Sequence, residues 1–585
     1  MTAASKTLYA YVLARRRPVF LGLLLVLAVC VIGLGVPFIL RYAIDALTAG
    51  RLTFPVLLTC CAAYVGATLL TSALSLAMRR VLLGLGYQVE YDIRRDLFAH
   101  LTTLDAAFYQ RERTGDLMTR LNSDLGAARD LVGQGLLQAS RMVFGFTLAF
   151  GIMFILDVRM ALTVLGILPC VSTGFFFLVR RIRARYDVSQ EQFSALSNFA
   201  QESFAGIRTL KGFGIEPRRL EGFRRINEDY VRLNLALARA ENPVWPFMAL
   251  AFSIGIALLL LIGGRQVIEG RISLGTFVQF NQYLLYLQWP MLALGWTTNL
   301  WQRAIASWRR LCAIRDARPE VGDGPRTDVA LVEPRGALAF RGVSLSREGR
   351  TLLDRVDLVI PEGCTVGITG PTGSGKTLLA SLIVRLLDPS EGEVLIGGHD
   401  LREIPLAVLR RQIGVVAQEP FLFSDTVAGN IAFGRPSAVE PVLDEDILWA
   451  AEVAHLRADV ELFPQKFQTL VGERGVTLSG GQRQRAALSR ALARSPRWLI
   501  LDDAFSAVDT QTEARILEQL RPVLADRTTI LISHRVSTLR HADRIVVIEG
   551  GRVTQQGTHA ELVARPGYYR TLDEIQRLEA RLEEP

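Results

Sequence analysis

The chain has 585 residues, of which 50% are hydrophobic and 21% are charged. It is too long for a single domain, and its mean hydropathy of +0.27 is too high for an ordinary soluble protein, so part of it is expected to lie in lipid. The net charge of +9 comes mostly from arginines beside apolar runs, as at Arg79-Arg80 and Arg180-Arg181, which indicates a membrane boundary and argues against nucleic acid as a partner.

Six apolar runs in the first half are long enough, at roughly 20 residues each, to span a bilayer as helices. They lie at about 18–44, 55–78, 138–156, 159–179, 244–268 and 276–300. The first, third and fifth connections are short, whereas arginine pairs flank the long second and fourth connections. By the positive-inside rule, this pattern places both termini and both long connections in the cytoplasm of a multi-pass protein of the cytoplasmic (inner) membrane.

Each long connection contains a short polar segment next to glycine, at 109–116 and at 201–208. We expect these segments to be contact points for a cytoplasmic domain. Within the predicted membrane helices, Arg141, Gln279 and Gln282 are polar side chains in an apolar setting. Such groups either join helices to one another or line a solvated cavity for a substrate, and the sequence leaves both interpretations open.

The second half has the character of a soluble α/β domain. The predicted organisation is a six-helix, all-α transmembrane domain at 1–318, a linker at 319–334, an α/β domain at 335–570 and a C-terminal amphipathic helix at 571–585. Leu572, Ile575, Leu578 and Leu582 share one face of that helix. This face is expected either to pack on its own domain or to pair with the same helix of a partner.

A phosphate-binding motif follows the predicted strand 365–369 and matches G-x-x-x-x-G-K-[ST] in full. Its residues are Gly370, Pro371, Thr372, Gly373, Ser374, Gly375, Lys376 and Thr377. The glycines let backbone N–H groups surround phosphate oxygens, Lys376 adds positive charge, and the Thr377 hydroxyl is a ligand for Mg²⁺. The sequence therefore predicts that 335–570 is an α/β P-loop domain with a nucleotide-phosphate site and Mg²⁺.

Three further strands end in polar groups that should meet at the same sheet edge. Asp502 is expected to be a carboxylate ligand of Mg²⁺, and Gln418 to bind the metal or orient water. Asp503 follows Asp502 directly at this edge, and His534 should donate toward the γ-phosphate. A separate helix begins at Ser479, Gly480, Gly481 and Gln482, where a serine cap and two glycines predict a second anion site.

These motifs together resemble those of ABC ATPases. The segments 370–377, 478–482 and 506–509 look like the Walker A, signature and D-loop motifs, Asp502 looks like the Walker B carboxylate, and 471–475 looks like the X-loop of ABC exporters. The six-helix half is similar to the membrane domain of the same exporters. The resemblance implies that two halves dimerise, so that Ser479, Gly480, Gly481, Gln482 and Asp509 contact the ATP held by the other half.

The chain departs from the family pattern at two positions. In the family, the residue after the Walker B aspartate is normally a glutamate that acts as the general base, so the resemblance makes Asp503 the candidate base here, with a carboxylate one methylene shorter. The aromatic residue that stacks on adenine is replaced by Arg347, which can also stack on a base. Because a misplacement of about 1 Å can cost on the order of 10²-fold in rate, we expect slow hydrolysis at this site.

An intact signature beside a weakened base favours a heterodimer, in which the signature serves a partner whose Walker B motif carries glutamate. A homodimer that uses Asp503 as a poorer base is the alternative. The predicted function is ATP-driven export of hydrophobic or amphipathic compounds such as drugs, lipids or peptides. An exporter-fold importer, such as a siderophore system, and a catalytically silent regulatory subunit remain open.

Overall fold

The computed structural model describes residues 3–435, 443–472 and 478–583. These residues form two compact units. The first comprises Met1–Thr102 and Thr114–Ala317, and the second comprises Thr103–Arg113 and Arg318–Pro585. A short piece of the first half of the sequence therefore packs with the second half.

The first half of the sequence folds into helices. In chain order they are α1 (Ala3–Ala14), α2 (Arg16–Thr48), α3 (Phe54–Leu101), α4 (Ala106–Arg111), α5 (Thr114–Thr119), a π-helical turn (Arg120–Asp124), α6 (Leu125–Asp130), a second π-helical turn (Leu131–Gly135), α7 (Leu136–Leu156), α8 (Val158–Ala205), α9 (Ile207–Phe213), α10 (Glu216–Glu241), α11 (Val244–Ile268) and α12 (Leu274–Arg315). All except α4 belong to the first unit.

Four helical stretches within the described residues are long and apolar enough to cross a membrane. They are Arg16–Thr48, Phe54–Leu101, Thr114–Leu156 and Glu216–Ile268, and they contain four of the six predicted spans. The other two predicted spans, 159–179 and 276–300, lie within the continuous helices α8 and α12. The predicted polar segments differ in detail: α4 ends at Arg111, before much of 109–116, and 201–208 is divided between the end of α8 and the start of α9.

Ion pairs tie together the polar ends of helices in the first unit. Arg310 of α12 donates to both carboxylate oxygens of the buried Asp124, at 2.8 and 2.5 Å. Glu90 of α3 is also buried and pairs with Arg129 at 3.3 Å. Buried carboxylates are stable only with such partners, so these pairs fix how the long helices pack.

Among its described residues, the second unit contains two sheets built from ten strands. The strands are β1 (Leu338–Arg347), β2 (Arg350–Ile360), β3 (Thr365–Thr369), β4 (Glu391–Ile396), β5 (His399–Asp400), β6 (Ile413–Val416), β7 (Trp498–Asp502), β8 (Thr528–Ile532), β9 (Arg544–Glu549) and β10 (Arg552–Gly557). One sheet is antiparallel, in the order β2-β1-β4-β5. The other runs β10-β9-β3-β8-β7-β6 and is parallel except for the β9–β10 pair.

Helices cover the parallel sheet, as expected for buried parallel strands. They are α13 (Lys376–Ile383), α14 (Leu406–Arg411), α15 (Val427–Ala432), α16 (Glu445–Val453), α17 (Arg457–Glu461), a 3₁₀ turn (Lys466–Gln468), α18 (Gly480–Ala493), α19 (Thr510–Ala525), α20 (Val536–Leu539), α21 (His559–Ala564) and α22 (Tyr568–Glu583).

Strand β7 shows how the sheet separates two hydrophobic cores. Trp498 and Ile500 point into the core shared with the antiparallel sheet, whereas Leu499 and Leu501 point into the core formed with α15, α16, α18 and α19. Successive side chains of a strand face opposite sides, so a strand buried on both faces is apolar throughout. The expected fold class, a helical unit followed by an α/β unit, is confirmed.

Candidate functional site

The phosphate-binding loop connects β3 to α13. Gly370, Gly373 and Gly375 have φ values of 150°, 79° and 102°, which side chains rarely allow. A Cβ at Gly370 would also overlap the carbonyl oxygen of Ile548, and one at Gly375 would come within 2.6 Å of Leu353. The glycines are therefore required for the tight path of this loop.

The interior of the loop suits a polyanion. The Lys376 ammonium donates to the carbonyl oxygens of Gly370 and Pro371, at 2.9 and 2.8 Å. The Ser374 hydroxyl is buried and has no hydrogen-bond partner among the described residues. Burial lowers the pKa of Lys376, although Asp502 and Asp503 oppose the shift. A buried cation and an unused hydroxyl in one loop are the groups that nucleotide phosphates would satisfy.

Thr377 and Asp502 lie together where Mg²⁺ is expected. The Thr377 hydroxyl donates to the Asp502 carboxylate at the end of β7. Burial raises the pKa of Asp502 above its ordinary value, and the nearby Asp503 adds to this effect. Within the described ranges, no three His, Cys, Asp or Glu side chains converge on one point. The contact between Thr377 and Asp502 would let this hydroxyl–carboxylate pair hold a bound Mg²⁺ together with oxygens of the nucleotide.

The two other polar strand ends reach the same edge. Strands β6, β7 and β8 are parallel, and Val416 pairs with Leu501 while Asp502 pairs with Ile532. This register brings Gln418, Asp503 and His534 to neighbouring positions just beyond the strands. Gln418 is exposed there, and His534 is half-buried. Burial and the adjacent Lys376 lower the pKa of His534, although Asp503 and Asp502 oppose the shift, so the neutral imidazole is favoured.

Asp503 has an unusual backbone conformation for a residue with a side chain. Its φ is 50°, in the left-handed region that Asn and Asp adopt more readily than longer residues. Its N–H donates to the carbonyl oxygen of Ile532 at 2.9 Å. The turn that carries the candidate base is thus tied to the strand that leads to His534.

The signature segment caps helix α18. The Ser479 hydroxyl accepts from the Gln482 N–H at 3.2 Å, and the Gln482 side chain accepts from the Ser479 N–H at 3.0 Å, which completes a capping box. Gly480 and Gly481 pass so close to Ala507 that a Cβ on either would lie within 3.3 Å of it. The second anion site predicted at the N-terminus of this 14-residue helix stays a prediction. Residues 473–475 of the predicted X-loop lie outside the described residues.

The sequence reasoning missed Gln484, which joins α18 to the D-loop. Its side chain is 3% exposed, and its amide oxygen accepts from the Ala507 N–H at 2.9 Å. Its nitrogen donates to the Ser506 hydroxyl at 2.8 Å and to the Asp503 carbonyl at 3.4 Å. Gln484 lies four residues after Gly480, on the inner face of the helix, and this spacing could have identified it from the sequence.

Two predicted nucleotide contacts have partners within their own unit. Asp509 caps α19, where its carboxylate accepts from the Thr512 N–H at 2.9 Å. Arg347, at the end of β1, donates to Gln110 at 3.4 Å and lies 3.9 Å from a Glu320 oxygen. The proposed contacts of Asp509 and Arg347 with ATP stay predictions.

The tip of the first long connection packs within the second unit. Asp105 caps α4 through the Phe108 N–H and also accepts from the N–H groups of Glu320 and Val321, at 2.5 and 3.0 Å. Arg111 at the end of α4 pairs with Glu320 at 2.9 Å. The expectation that this connection contacts the cytoplasmic domain therefore agrees with these bonds.

The polar residues of the membrane helices occupy different environments. Gln279 is fully buried and donates to the Tyr283 hydroxyl, which in turn donates to the Leu34 carbonyl oxygen in α2. This contact joins helices, as the alternative interpretation expected. Gln282 is exposed, and Arg141 is half-buried on α7.

A cavity of about 310 Å³ lies elsewhere in the first unit, between α8, α11 and α12. Arg183 lines it and donates to Asn299 at 3.0 Å and to Gln302 at 2.9 Å. Phe175, Phe176, Met248 and Met291 supply apolar walls. Arg141, Gln279 and Gln282 are not among its lining residues.

Comparison with known proteins identifies family models and relatives that match this chain. Residues 19–291 match the family model of the ABC transporter transmembrane region, and residues 353–506 match the ABC transporter model. The chain is 36% identical over 557 residues to the multidrug resistance-like ATP-binding protein MdlA of Escherichia coli, covering 94% of this chain and 92% of that protein. It is 33% identical over 491 residues to the ATP-dependent lipid A-core flippase of Desulfotalea psychrophila, covering 84% and 85%.

A solved structure is similar over almost the entire chain. It is a bacterial Atm1-family ABC exporter with ATP bound, and it superposes with a TM-score of 0.82 at 28% identity. The match covers 96% of this chain and 99% of the exporter chain.

Proposed function

Because the chain belongs to the ABC transporter family and fuses the membrane region to the ATP-binding region, we propose that it is one half of a heterodimeric exporter. The chain is an ATP-hydrolysing transporter that uses ATP and Mg²⁺. We further propose its partner, its substrates and unequal rates of hydrolysis at the two ATP sites. One observation carries it: Asp503 stands in place of the family glutamate while the signature segment is complete.

The fixed position of Asp503 supports a slow site in this chain. Its backbone is held by Ile532, and its carbonyl oxygen accepts from Gln484 and from the Ser506 N–H. Because this backbone is held, it cannot easily move forward to bring the shorter carboxylate to the position that a glutamate carboxylate would occupy. The N-terminus of α18 is capped, and it would be available to bind the nucleotide of another subunit. A partner with glutamate in its Walker B motif would complete one fast site, as in heterodimeric multidrug exporters such as TmrAB, whose B-type subunit this chain resembles.

The residues of the phosphate loop would hold the nucleotide. Lys376 and the loop N–H groups would bind phosphate oxygens, and Thr377 and Asp502 would hold Mg²⁺, which neutralises phosphate charge when bound. Asp503 would accept a proton from water, Gln418 would orient that water, and neutral His534 would donate a hydrogen bond toward the γ-phosphate. The second anion site at α18 would serve the partner's nucleotide.

We propose hydrophobic or amphipathic compounds as the transported substrates. The names of the relatives point to multidrug resistance and to a lipid flippase. The cavity between α8, α11 and α12 has apolar walls and one cationic group, Arg183, held by amide oxygens. An apolar cavity with a single polar end suits amphipathic molecules.

We place the second unit and both termini on the cytoplasmic side of the inner membrane. Arginine pairs flank the long connections, as the positive-inside rule requires. The bonds between α4 and residues 320–321 would carry the movement of the ATP-binding domain to the helices that follow.

Transport direction can be tested with membrane vesicles. Inside-out vesicles that contain the assembled transporter should accumulate a fluorescent amphipathic dye when Mg²⁺ and ATP are supplied outside. Vesicles carrying Lys376→Ala together with the matching change in the partner should not. ATP-dependent loss of preloaded dye from the same inside-out vesicles would instead show import, and the export proposal would be wrong.

A further inference from the structure

The C-terminal helix α22 is anchored on its own ATP-binding domain. Tyr569 is completely buried, its hydroxyl lies 2.8 Å from His559 Nδ1, and Leu572 packs against the same core. Asp573 is also buried and pairs with Arg577 at 2.8 Å. The first turns of α22 therefore hold its inner face in a defined place.

Gln576 extends from this helix to the segment that carries His534. Its amide oxygen accepts from the Val536 N–H at 2.8 Å, and its amide nitrogen donates to the His534 carbonyl oxygen at 2.7 Å. The two backbone groups require opposite ends of the amide, so together they determine its orientation. One side chain thus spans the backbone from His534 to Val536.

The same segment is also held by the D-loop. Arg535 donates to the carbonyl oxygens of Ser506 and Val508, both at 3.3 Å, and pairs with the buried Glu513. The contacts of Gln576 and of Arg535 therefore both restrain the backbone next to His534. The His534 side chain itself lies near Lys376, Asp502 and Asp503.

We propose that Gln576 is a positioning residue for His534, so that α22 sets how the histidine meets the γ-phosphate. This inference rests on the proposed contact between His534 and ATP. A side chain that bonds both the carbonyl of His534 and the N–H two residues later limits rotation of the peptide units that aim the imidazole. Without Gln576, the imidazole of His534 could still donate a hydrogen bond, but it would be less well aligned with the γ-phosphate.

Nucleotide affinity provides a test that does not depend on a fast catalytic rate. Affinities for Mg·ATPγS and Mg·ADP are measured on the assembled transporter, with the phosphate-loop lysine of any different copurifying subunit replaced so that only this chain's site binds. Gln576→Met, which removes both hydrogen bonds at similar volume, should weaken ATPγS binding about three- to tenfold. ADP affinity should change less than about twofold, because ADP lacks the γ-phosphate. Glu579→Met on the exposed face of α22 is the control and should change neither affinity.

A double variant separates positioning from general destabilisation. In a His534→Ala background, Gln576→Met should cause no further loss of ATPγS affinity, because the group it aims is absent. Gln576→Glu keeps an acceptor for Val536 but loses the donor to His534, and it should give an intermediate loss. It also serves as the test variant if Gln576→Met does not fold.

Several outcomes would overturn the inference. These are equal losses of ATPγS and ADP affinity, losses that multiply in the double variant, or unchanged affinity in both Gln576 variants. If His534→Ala alone leaves ATPγS affinity intact, the proposed role of His534 fails and the inference fails with it. A loss with His534→Ala but none with the Gln576 variants overturns only the role of Gln576.

Discussion

The backbone N–H of Asp503 donates to the carbonyl oxygen of Ile532 at 2.9 Å, across the register in which β7 lies beside β8. The bond fixes the candidate base relative to the strand that leads to His534. Asp503 also has a left-handed φ of 50°. The length of its side chain therefore decides how far its carboxylate reaches, since the backbone is held in place.

Replacing Asp503 by glutamate should increase hydrolysis at this chain's site. The added methylene advances the carboxylate by about 1 Å, and a recovery of that size can raise the rate by on the order of tenfold or more. The measurement is single-turnover hydrolysis of labelled ATP by the assembled transporter, with the Walker B glutamate of any copurifying partner replaced by glutamine.

Asp503→Asn is the matched control for the charge, and it should lower the rate below that of the natural chain. The unfolding temperature of each variant is recorded, because glutamate adopts the left-handed region less readily than aspartate. A correctly folded Asp503→Glu variant that hydrolyses no faster would show that another element limits this site.

Gln484→Leu should destabilise the ATP-binding domain and its D-loop. The change leaves the Ala507 N–H and the Ser506 hydroxyl without their partner, at a cost of about 1–3 kcal/mol. For a domain of this size we expect the unfolding temperature to fall by about 2–4 °C for each kcal/mol. Gln511→Leu, the same substitution at an exposed position of α19, should have almost no effect. Equal unfolding temperatures for the two variants would contradict the role given to Gln484.

Asp105→Ala should weaken the attachment of α4. It removes the helix cap and the acceptor for the Glu320 and Val321 N–H groups, and loss of a cap costs about 1 kcal/mol. Asp105→Asn keeps an acceptor oxygen and should lose less. Differential scanning calorimetry or fluorimetry of the full chain provides the measurement.

The pH dependence of the Asp105 effect has a definite sign. Burial, the largest single influence, raises the pKa of Asp105, but the N–H groups of Phe108, Val321 and Glu320 together hold it below its ordinary value of 3.8. A depressed pKa gives stability that is present above 3.8 and is lost as the pH falls through the folded-state value. The difference between the natural chain and Asp105→Ala should therefore stay constant from about pH 7 to 5. A difference that already shrinks near pH 6 would show that the carboxyl is not stabilised in its charged form.

The chemistry of the ATP site was predictable because it lies in local motifs. The phosphate loop is continuous in sequence, and Asp502, Asp503 and His534 each follow a short apolar strand whose parallel neighbours share an edge. The membrane spans were also predictable where apolar residues continue for about 20 positions. The full lengths of α3, α8 and α12 were not, since these helices continue well beyond their apolar runs.

Contacts between distant segments were not predictable from such patterns. Gln576 binds a backbone 42 residues earlier, and Arg183 meets Asn299 across 116 residues, with no periodic signal that connects them. Gln279 was expected either in a cavity or between helices, and the choice depended on the hydroxyl of Tyr283. The bonds from Asp105 to residues 320–321 likewise depend on tertiary packing.

We propose that this chain depends on a different partner for rapid ATP hydrolysis. The most direct test is the ATPase rate of the purified chain alone in lipid, compared with the complex that copurifies from the native membrane. We predict that the chain alone, folded and able to bind ATP, turns over at roughly a tenth of the rate of the complex or less. A homodimer of this chain that hydrolyses ATP as fast as the native complex would contradict the claim.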